Sequence, residues 1–458
     1  MTLRERLAAV LPEGEQFNVV QLQSIPAECL PLTSLQNTDK TASVETKTVN
    51  TQHFFTLSHN EKVFYALELI IYIVIDEKNG TAERIVFISK ADTNGYCDAK
   101  VSIGQVTQSI LDYILAIDPK YYLKRVKKMH PDLGGYSDLI TPTTTTKRAL
   151  QILSERCKNG QYNKSYIKEE DLFLSINCQL PIKTKIALFT RPEPQYLFPD
   201  SSKNPKKHIL SGDQLLKWWL SIIDTLIVRH FSTADTKATV QIPGEDKSII
   251  KHYFRNTSFK NWEVGNIMSN NPNDLAINKI PIYPDDPKGR FLEELQEDAP
   301  KRLEKMKILS FWVELQARQE FRLGVVVSVI GVFGSYISPY SIKNPSSEDT
   351  VIPRSLKIYN SIKHYITAED YSTVRGASEA HRNIRDFLKL YYLPQIICIE
   401  GSSQENPHLI TASPNNPNSN NPTKTTKNTI RVKPNHPEKR VPVINNLNNL
   451  LVRKKPRI

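Results

Sequence analysis

Two β-rich runs around a single Asn-Gly constrain this chain most. Residues 63–75 read VFYALELIIYIVI and residues 84–88 read RIVFI, with Asn79-Gly80 between them. β-branched and aromatic residues favour strands, and Asn-Gly favours the tight turn that joins two antiparallel ones. The first run is apolar on both faces, which predicts a central strand. The hairpin leads straight into residues 90–97, KADTNGYC, whose Asp, Asn and Gly predict a loop at the strand end.

The other segments are read by period and punctuation. A short amphipathic helix (Leu3, Leu7, Val10) and an apolar segment open the chain, and polar residues 33–50 predict a loop. Residues 104–117 carry Val106, Ile110, Ile114 and Ile117 along one helix side, and Asp118-Pro119 ends it. Residues 125–147 form a polar insert, followed by a short helix at 148–156 and extended segments at 172–178 and 182–190. Ser211-x-x-Gln214 is a capping-box start for a largely apolar helix through Leu226. Further helices are expected from Asp246, at 292–295, at 301–321 and at 377–391.

Residues 323–342 form an uncharged run long enough to span a bilayer, but Gly324, Gly331, Gly334 and Pro339 dilute it. A buried strand or core segment is expected there. Arg4, Glu5 and Arg6 interrupt the start, so no signal peptide is read. Five scattered cysteines (29, 97, 157, 178, 398), with no CxxC, argue against a disulfide framework or zinc site and for a reducing compartment. Ten histidines without HExxH argue against metal catalysis, and no metal is expected.

The +12 net charge is uneven. Residues from Gly401 onward hold ten Lys/Arg and two acids, which is +8, leaving +4 for the first 400 residues. That tail is rich in Asn, Pro, Thr, Ser and Lys and cannot bury enough apolar surface to fold alone. Its last residues mix Val443, Ile444, Leu447 and 450–452 with the cations of 453–457, which suits a segment that orders on a partner. A basic tail points to acidic partners, nucleic acid or nuclear targeting.

One stretch carries the chemistry. Residues 280–291 read IPIYPDDPKGRF, after an extended apolar segment at 275–283 and before a helix expected near Arg290. Pro284 and Pro287 hold Asp285 and Asp286 in a stiff turn, where a general base could sit. The plainer reading is a solvated turn with anionic bias for the helix.

Four strings then occur in order: Ser89-Lys-Ala-Asp-Thr-Asn-Gly-Tyr-Cys97, Gln195-Tyr-Leu-Phe-Pro-Asp-Ser-Ser-Lys-Asn204 with Lys207-His-Ile-Leu210, Lys217-Trp-Trp219, and Pro284-Asp-Asp-Pro-Lys288. Together they resemble the fungal histone H3 lysine acetyltransferase family, whose members work with histone chaperones. TQHFF at 51–55, IPGED at 242–246 and FWVELQARQEF at 311–321 resemble it too. The likeness covers residues 1 to 395 and fades in the 125–168 insert and the tail.

The resemblance implies an α/β fold, a central mixed β-sheet surrounded by helices, related to metazoan co-activator acetyltransferases. A single acetyltransferase domain would span residues 1–400, with a loose insert at 125–147 and a disordered basic tail at 401–458. The chain lacks the R/QxxGxG/A loop of the commoner N-acetyltransferases, which agrees. Acetyl-CoA would be the cosubstrate and histone H3–H4 the substrate. The target lysines would be the one on the first short helix of H3, near where DNA enters the nucleosome, and tail lysines. Histone chaperones would present them in the nucleus, during replication-coupled chromatin assembly, with no membrane and no sequence-specific nucleic-acid binding. The tail is expected to grip a chaperone or H3–H4.

The same likeness makes Asp286 the acid/base residue and Asp285 its partner, whose like charge would raise the pKa of Asp286. It makes Lys288 a buried self-acetylated lysine contacted by Asp92, and Trp219 and Tyr196 the walls of the substrate-lysine channel. Coenzyme A would be held by Ala91, Asp92 and Thr93, by Lys100, Val101, Ser102, Ile103 and Gly104 at a helix entrance, and by Phe189, Arg191, His208, Ile209, Leu210 and Trp218. Glu193 departs from the pattern, because a carboxylate beside phosphates is unfavourable unless it points away. Singly, Trp218-Trp219 also reads as core, Lys203 to His208 as a solvated face, Asp92 as a turn former and Lys288 as an exposed lysine. A non-catalytic basic chromatin or chaperone scaffold therefore stands as the second function class.

Overall fold

The computed structural model describes residues 1–33, 46–129, 146–158, 172–269, 271–318, 327–346, 348–390 and 396–404. Most of the 125–147 insert and the tail beyond Gln404 lie outside these residues.

The strands are β1 Gln16–Gln23, β2 Ala27–Cys29, β3 Thr46–His59, β4 Lys62–Asp76, β5 Thr81–Thr93, β6 Val126–Lys127, β7 Phe173–Leu174, β8 Ile182–Thr190, β9 Lys237–Gln241, β10 Trp262–Val264, β11 Ser328–Gly334 and β12 Ile397–Glu400. The helices are α1 Leu3–Ala8, α2 Ile103–Ala116, α3 Thr146–Lys158, α4 Gly212–His230, α5 Lys247–His252, α6 Ala276–Lys279, α7 Pro287–Asp298, α8 Pro300–Leu303, α9 Ile308–Leu315, α10 Leu356–Thr367 and α11 Val374–Leu390. The strands form one mixed sheet, ordered β10-β9-β11-β8-β5-β4-β3-β2-β6-β7, with β1 joining β3 to β12. β5 and β8 run parallel, while β3, β4 and β5 are antiparallel neighbours.

As its sequence demands, β4 is buried on both faces. Leu67, Leu69, Ile71 and Ile73 enter a cluster with Val106, Ile110 and Ile114 of α2 and Leu216, Ile223 and Ile227 of α4. On the opposite face Ala66 packs with Tyr359 and Ile362 of α10 and Ala377, Ala380 and Ile384 of α11. Period-2 alternation thus feeds two cores from one strand. The predicted capping box of α4 is present, with Ser211 accepting from the Gln214 amide.

Several expectations need correcting. Residues 46–50, read as loop, begin β3, where they pair with residues 72–76 of β4. The string 90–93, also read as loop, continues β5. Its turn formers are overridden by pairing with β4: Lys90 with Glu68, Ala91 with Leu67, Asp92 with Ala66 and Thr93 with Tyr65. The extended reading of 275–283 gives way to the short helix α6, and that of 172–178 is strand only at β7. The helix expected near Arg290 starts at Pro287, with Asp286 as its N-cap, a position for which proline suits the next residue. The helix expected over 301–321 is broken, because Lys307 bridges Leu275 and the Ile308 amide bonds to the Asp274 carbonyl. Gly401–Ser403, assigned to the tail, are hydrogen-bonded to Glu15, Ala8 and Leu11. The run 323–342 does contain a buried strand, β11, and no helix among the described residues is long and apolar enough to cross a membrane.

Arg84 is fully buried, and its guanidinium donates to the carbonyls of Leu115 and Ile117 at the C-terminal end of α2 and to Thr184 of β8. Arg84→Met is expected to lose about 3 kcal/mol in urea unfolding, because two buried carbonyls lose their donors.

Candidate active site

The site begins with a surplus residue. Leu69 pairs with Ile88 and Glu68 with Lys90, so Ser89 is a β-bulge in β5. Bulges bend a strand and re-aim its side chains. Here β5 leaves β8, their parallel pairing ending at Ile88–Leu188. β8 meanwhile continues along β11 through Phe189 and Thr190. Between the parted strand ends lies a cavity of about 300 Å³.

Ala91, Asp92 and Thr93 form one wall; Phe189, Thr190 and Arg191 form another; His208, Ile209, Leu210, Ile103, Trp218, Trp219 and Tyr196 line it too. Trp219 is 4 % exposed and meets Trp218 edge-on at 4.7 Å. Gly104 lies behind Trp218, where a Cβ would stand 3.3 Å from the indole nitrogen. Lys100, Val101, Ser102 and Gly104 are not on the cavity wall, and of that predicted segment Ile103 alone lines it. Arg191 is tied to Glu193 at 2.8 Å, so the unexpected carboxylate has its own cation.

Three further ion pairs lie around the cavity. Lys207, 3 % exposed at its side chain, meets Asp92 at 2.9 Å. Lys90 meets Asp285 at 2.6 Å. Lys288 donates to both oxygens of Asp286, at 2.7 and 2.6 Å, with both side chains buried. The Lys288 ammonium also lies 5.0 Å from the ring centre of Phe189, which is a cavity wall. Asp286 and Lys288 thus sit behind that wall, and Asp285 reaches the cavity through Lys90.

Two expectations change here. The neighbouring acids do not face one another as a like-charged pair: Asp285 takes a left-handed backbone, φ 56°, and turns to Lys90. The Lys90 ammonium holds its carboxyl below the usual range. Asp92 turns to Lys207 and to the amides of Tyr196, Leu197 and Phe198, not to Lys288. Burial, then the charges of Glu193 and Asp285, push the Tyr196 hydroxyl up. Because the Asp285 pKa is depressed on folding, its pair with Lys90 contributes above the ordinary carboxylate pKa and is lost as pH falls through the depressed one. Lys90→Met is expected to move the Asp285 titration, followed by carboxyl NMR, up towards the ordinary carboxylate range.

Sequence reasoning missed Thr190, a residue of the cavity lining whose hydroxyl is buried without a hydrogen-bond partner among the described residues. It also gave Lys207 no role beyond a place in a cationic cluster and in the 207–210 string. Nothing in the local sequence separates Lys207 from its exposed neighbours Lys203 and Lys206. Among the described residues no group of three or more His, Cys, Asp or Glu could hold a metal.

The family model for the histone acetyltransferase KAT11-type domain matches residues 3–387. The chain belongs to this family. It is similar to "Histone acetyltransferase RTT109" of Candida albicans, at 32 % identity over 323 residues, covering 70 % of this chain and 84 % of that one. It is also similar to "Histone acetyltransferase rtt109" of Schizosaccharomyces pombe, at 24 % over 350 residues, covering 74 % and 72 %. The crystal structure of Rtt109 from Aspergillus fumigatus superposes with a TM-score of 0.61 at 19 % identity, covering 88 % of this chain and all of that one, which fixes the fold. This KAT11-type chain is therefore a histone acetyltransferase, an enzyme whose cosubstrate is acetyl-CoA, and the non-catalytic scaffold reading falls.

Proposed function

We propose that this enzyme transfers acetyl from acetyl-CoA to lysines of histone H3, the one on its first short helix and others in the tail. Histone chaperones present H3–H4 to it in the nucleus, in replication-coupled chromatin assembly. The observation that carries the reading is the cavity between β5 and β8, with a buried Asp286–Lys288 pair behind its Phe189 wall.

The cavity suits an extended, amide-bearing thioester. Backbone of Ala91 to Thr93 has left β8, which frees that edge to pair with the amides of the thioester. Acetyl-CoA, when bound, supplies an activated acyl group. Ile103, Phe189, Leu210 and Trp218 exclude water from it, while Arg191 and His208, which also line the cavity, would offer its phosphates a cation and a donor. Lys100, Val101, Ser102 and Gly104 support the helix entrance from behind this wall. The incoming lysine passes Tyr196 and Trp219, whose rings guide its aliphatic stem.

Free lysine has a pKa of about 10.4, so a base must take its proton. We assign that role to Asp286. In the unmodified chain Lys288 occupies both its oxygens. Acetylation of Lys288 removes that charge and frees the Asp286 oxygens to take the substrate's proton, which must reach them past Phe189. Lys288→Arg, which keeps a cation, is expected to transfer acetyl at least about ten-fold more slowly than Lys288→Gln. Equal rates would remove Lys288 from this role.

The function itself is tested with labelled acetyl-CoA and H3–H4, with and without a histone chaperone. Label should enter H3 lysines, faster with the chaperone. Label spread evenly over H3 and H4, indifferent to chaperone, would sink the reading.

A further inference from the structure

One carboxylate joins the two sides of the cavity. Asp92 Oδ2 accepts from the amides of Tyr196 at 2.7 Å, Leu197 at 2.9 Å and Phe198 at 3.4 Å. Its Oδ1 accepts from the Thr93 amide at 2.8 Å and from Lys207 Nζ at 2.9 Å. Lys207 Nζ donates also to Ser201 Oγ at 2.8 Å, and that hydroxyl donates to the Phe198 carbonyl at 2.6 Å. The loop from 195 to 210 is thereby pinned to the end of β5 twice, once at Tyr196 to Phe198 and once at Lys207.

A second strap lies beside the first. Asn204 Nδ2 donates to the Asn94 carbonyl at 2.7 Å. Gly95, at φ 81°, lets the two backbones touch: a Cβ there would come within 2.7 Å of the Lys207 nitrogen. The pinned loop carries Tyr196 at one end and His208, Ile209 and Leu210 at the other, all of them cavity walls. The spacing of these walls is set by a buried charge pair and not by apolar packing alone.

We infer that Lys207 is a positioning residue for acetyl transfer, holding the 208–210 wall at a fixed distance from Tyr196 through Asp92. The inference rests on the acetyl-transfer reading above. Lys207 acts through charge and reach. Its ammonium answers a carboxylate that is 9 % exposed at its side chain, and no neutral side chain does that. Misplacing a wall by about 1 Å can cost about a hundred-fold in rate, and here both walls move relative to each other.

The test uses the full chain, H3–H4 and labelled acetyl-CoA. Lys207→Met is expected to raise the KM for acetyl-CoA about ten-fold and to lower kcat about ten-fold. The double variant Asp92→Asn/Lys207→Met should lose no more than Lys207→Met alone, because the two act as one unit. Ser201→Ala, which keeps the ion pair and removes one acceptor, should shift the same KM about two-fold. A Lys207→Met protein that melts lower but keeps the parent's KM and kcat overturns the inference, as do fully additive losses in the double variant. If Lys207→Met fails to fold, an unchanged KM in Ser201→Ala overturns it instead. A parent chain that transfers no label would overturn the acetyl-transfer reading, whereas an active parent matched by Lys207→Met sinks only the clasp.

Discussion

Asp286→Asn is expected to lose acetyl transfer to H3–H4 by a factor of about 10² to 10⁴, the usual contribution of a positioned base. Asparagine keeps the shape and the N-cap of α7, since its side-chain oxygen can still accept from the Lys288 amide. What it loses is the ability to take a proton. Affinity for acetyl-CoA should stay within about two-fold, because Asp286 does not line the cavity. The comparison is best made in a Lys288→Met background, in which the altered position no longer faces a buried ammonium. Equal transfer with Asp or Asn at 286 would remove Asp286 as the base.

The second large effect is on stability. Asp286 is 1 % exposed and Lys288 is 2 % exposed. Asp286→Asn alone strands an ammonium in the interior, at a cost of about 3–5 kcal/mol. Adding Lys288→Met removes the stranded charge and should return most of the loss, since an apolar replacement of a buried pair is often neutral. Unfolding by urea of the parent, the two single variants and the double variant measures this directly. Strictly additive losses would mean that the two side chains do not face each other in solution.

The parts of this fold that sequence could supply are those where local preference and tertiary demand agree. The 63–88 hairpin, the Ser211 capping box and the proline-bracketed turn are of that kind. β5 beyond Ile88 is not: Asp92, Asn94 and Gly95 are turn formers by habit, and only the neighbouring β4 makes the first of them strand. The charge partners were harder still. Lys90 finds Asp285 and Lys207 finds Asp92 across 195 and 115 positions, separations that no spacing rule reaches. Asp286 and Lys288 are two apart, yet sequence favours an exposed lysine, and burial is what makes the pair matter. The likeness to known acetyltransferases brought most of the cavity's lining residues into view. It did not say which carboxylate answers which cation.

The bulge at Ser89 has an outcome of its own. Since Glu68 already faces Lys90, dropping residue 89 would leave the β4 partners as they are and only straighten the backbone. β5 could then zip onward along β8, and its amides would spend themselves on a neighbouring strand. A one-codon deletion would seal the enzyme shut while every side chain that meets a substrate stayed in the protein.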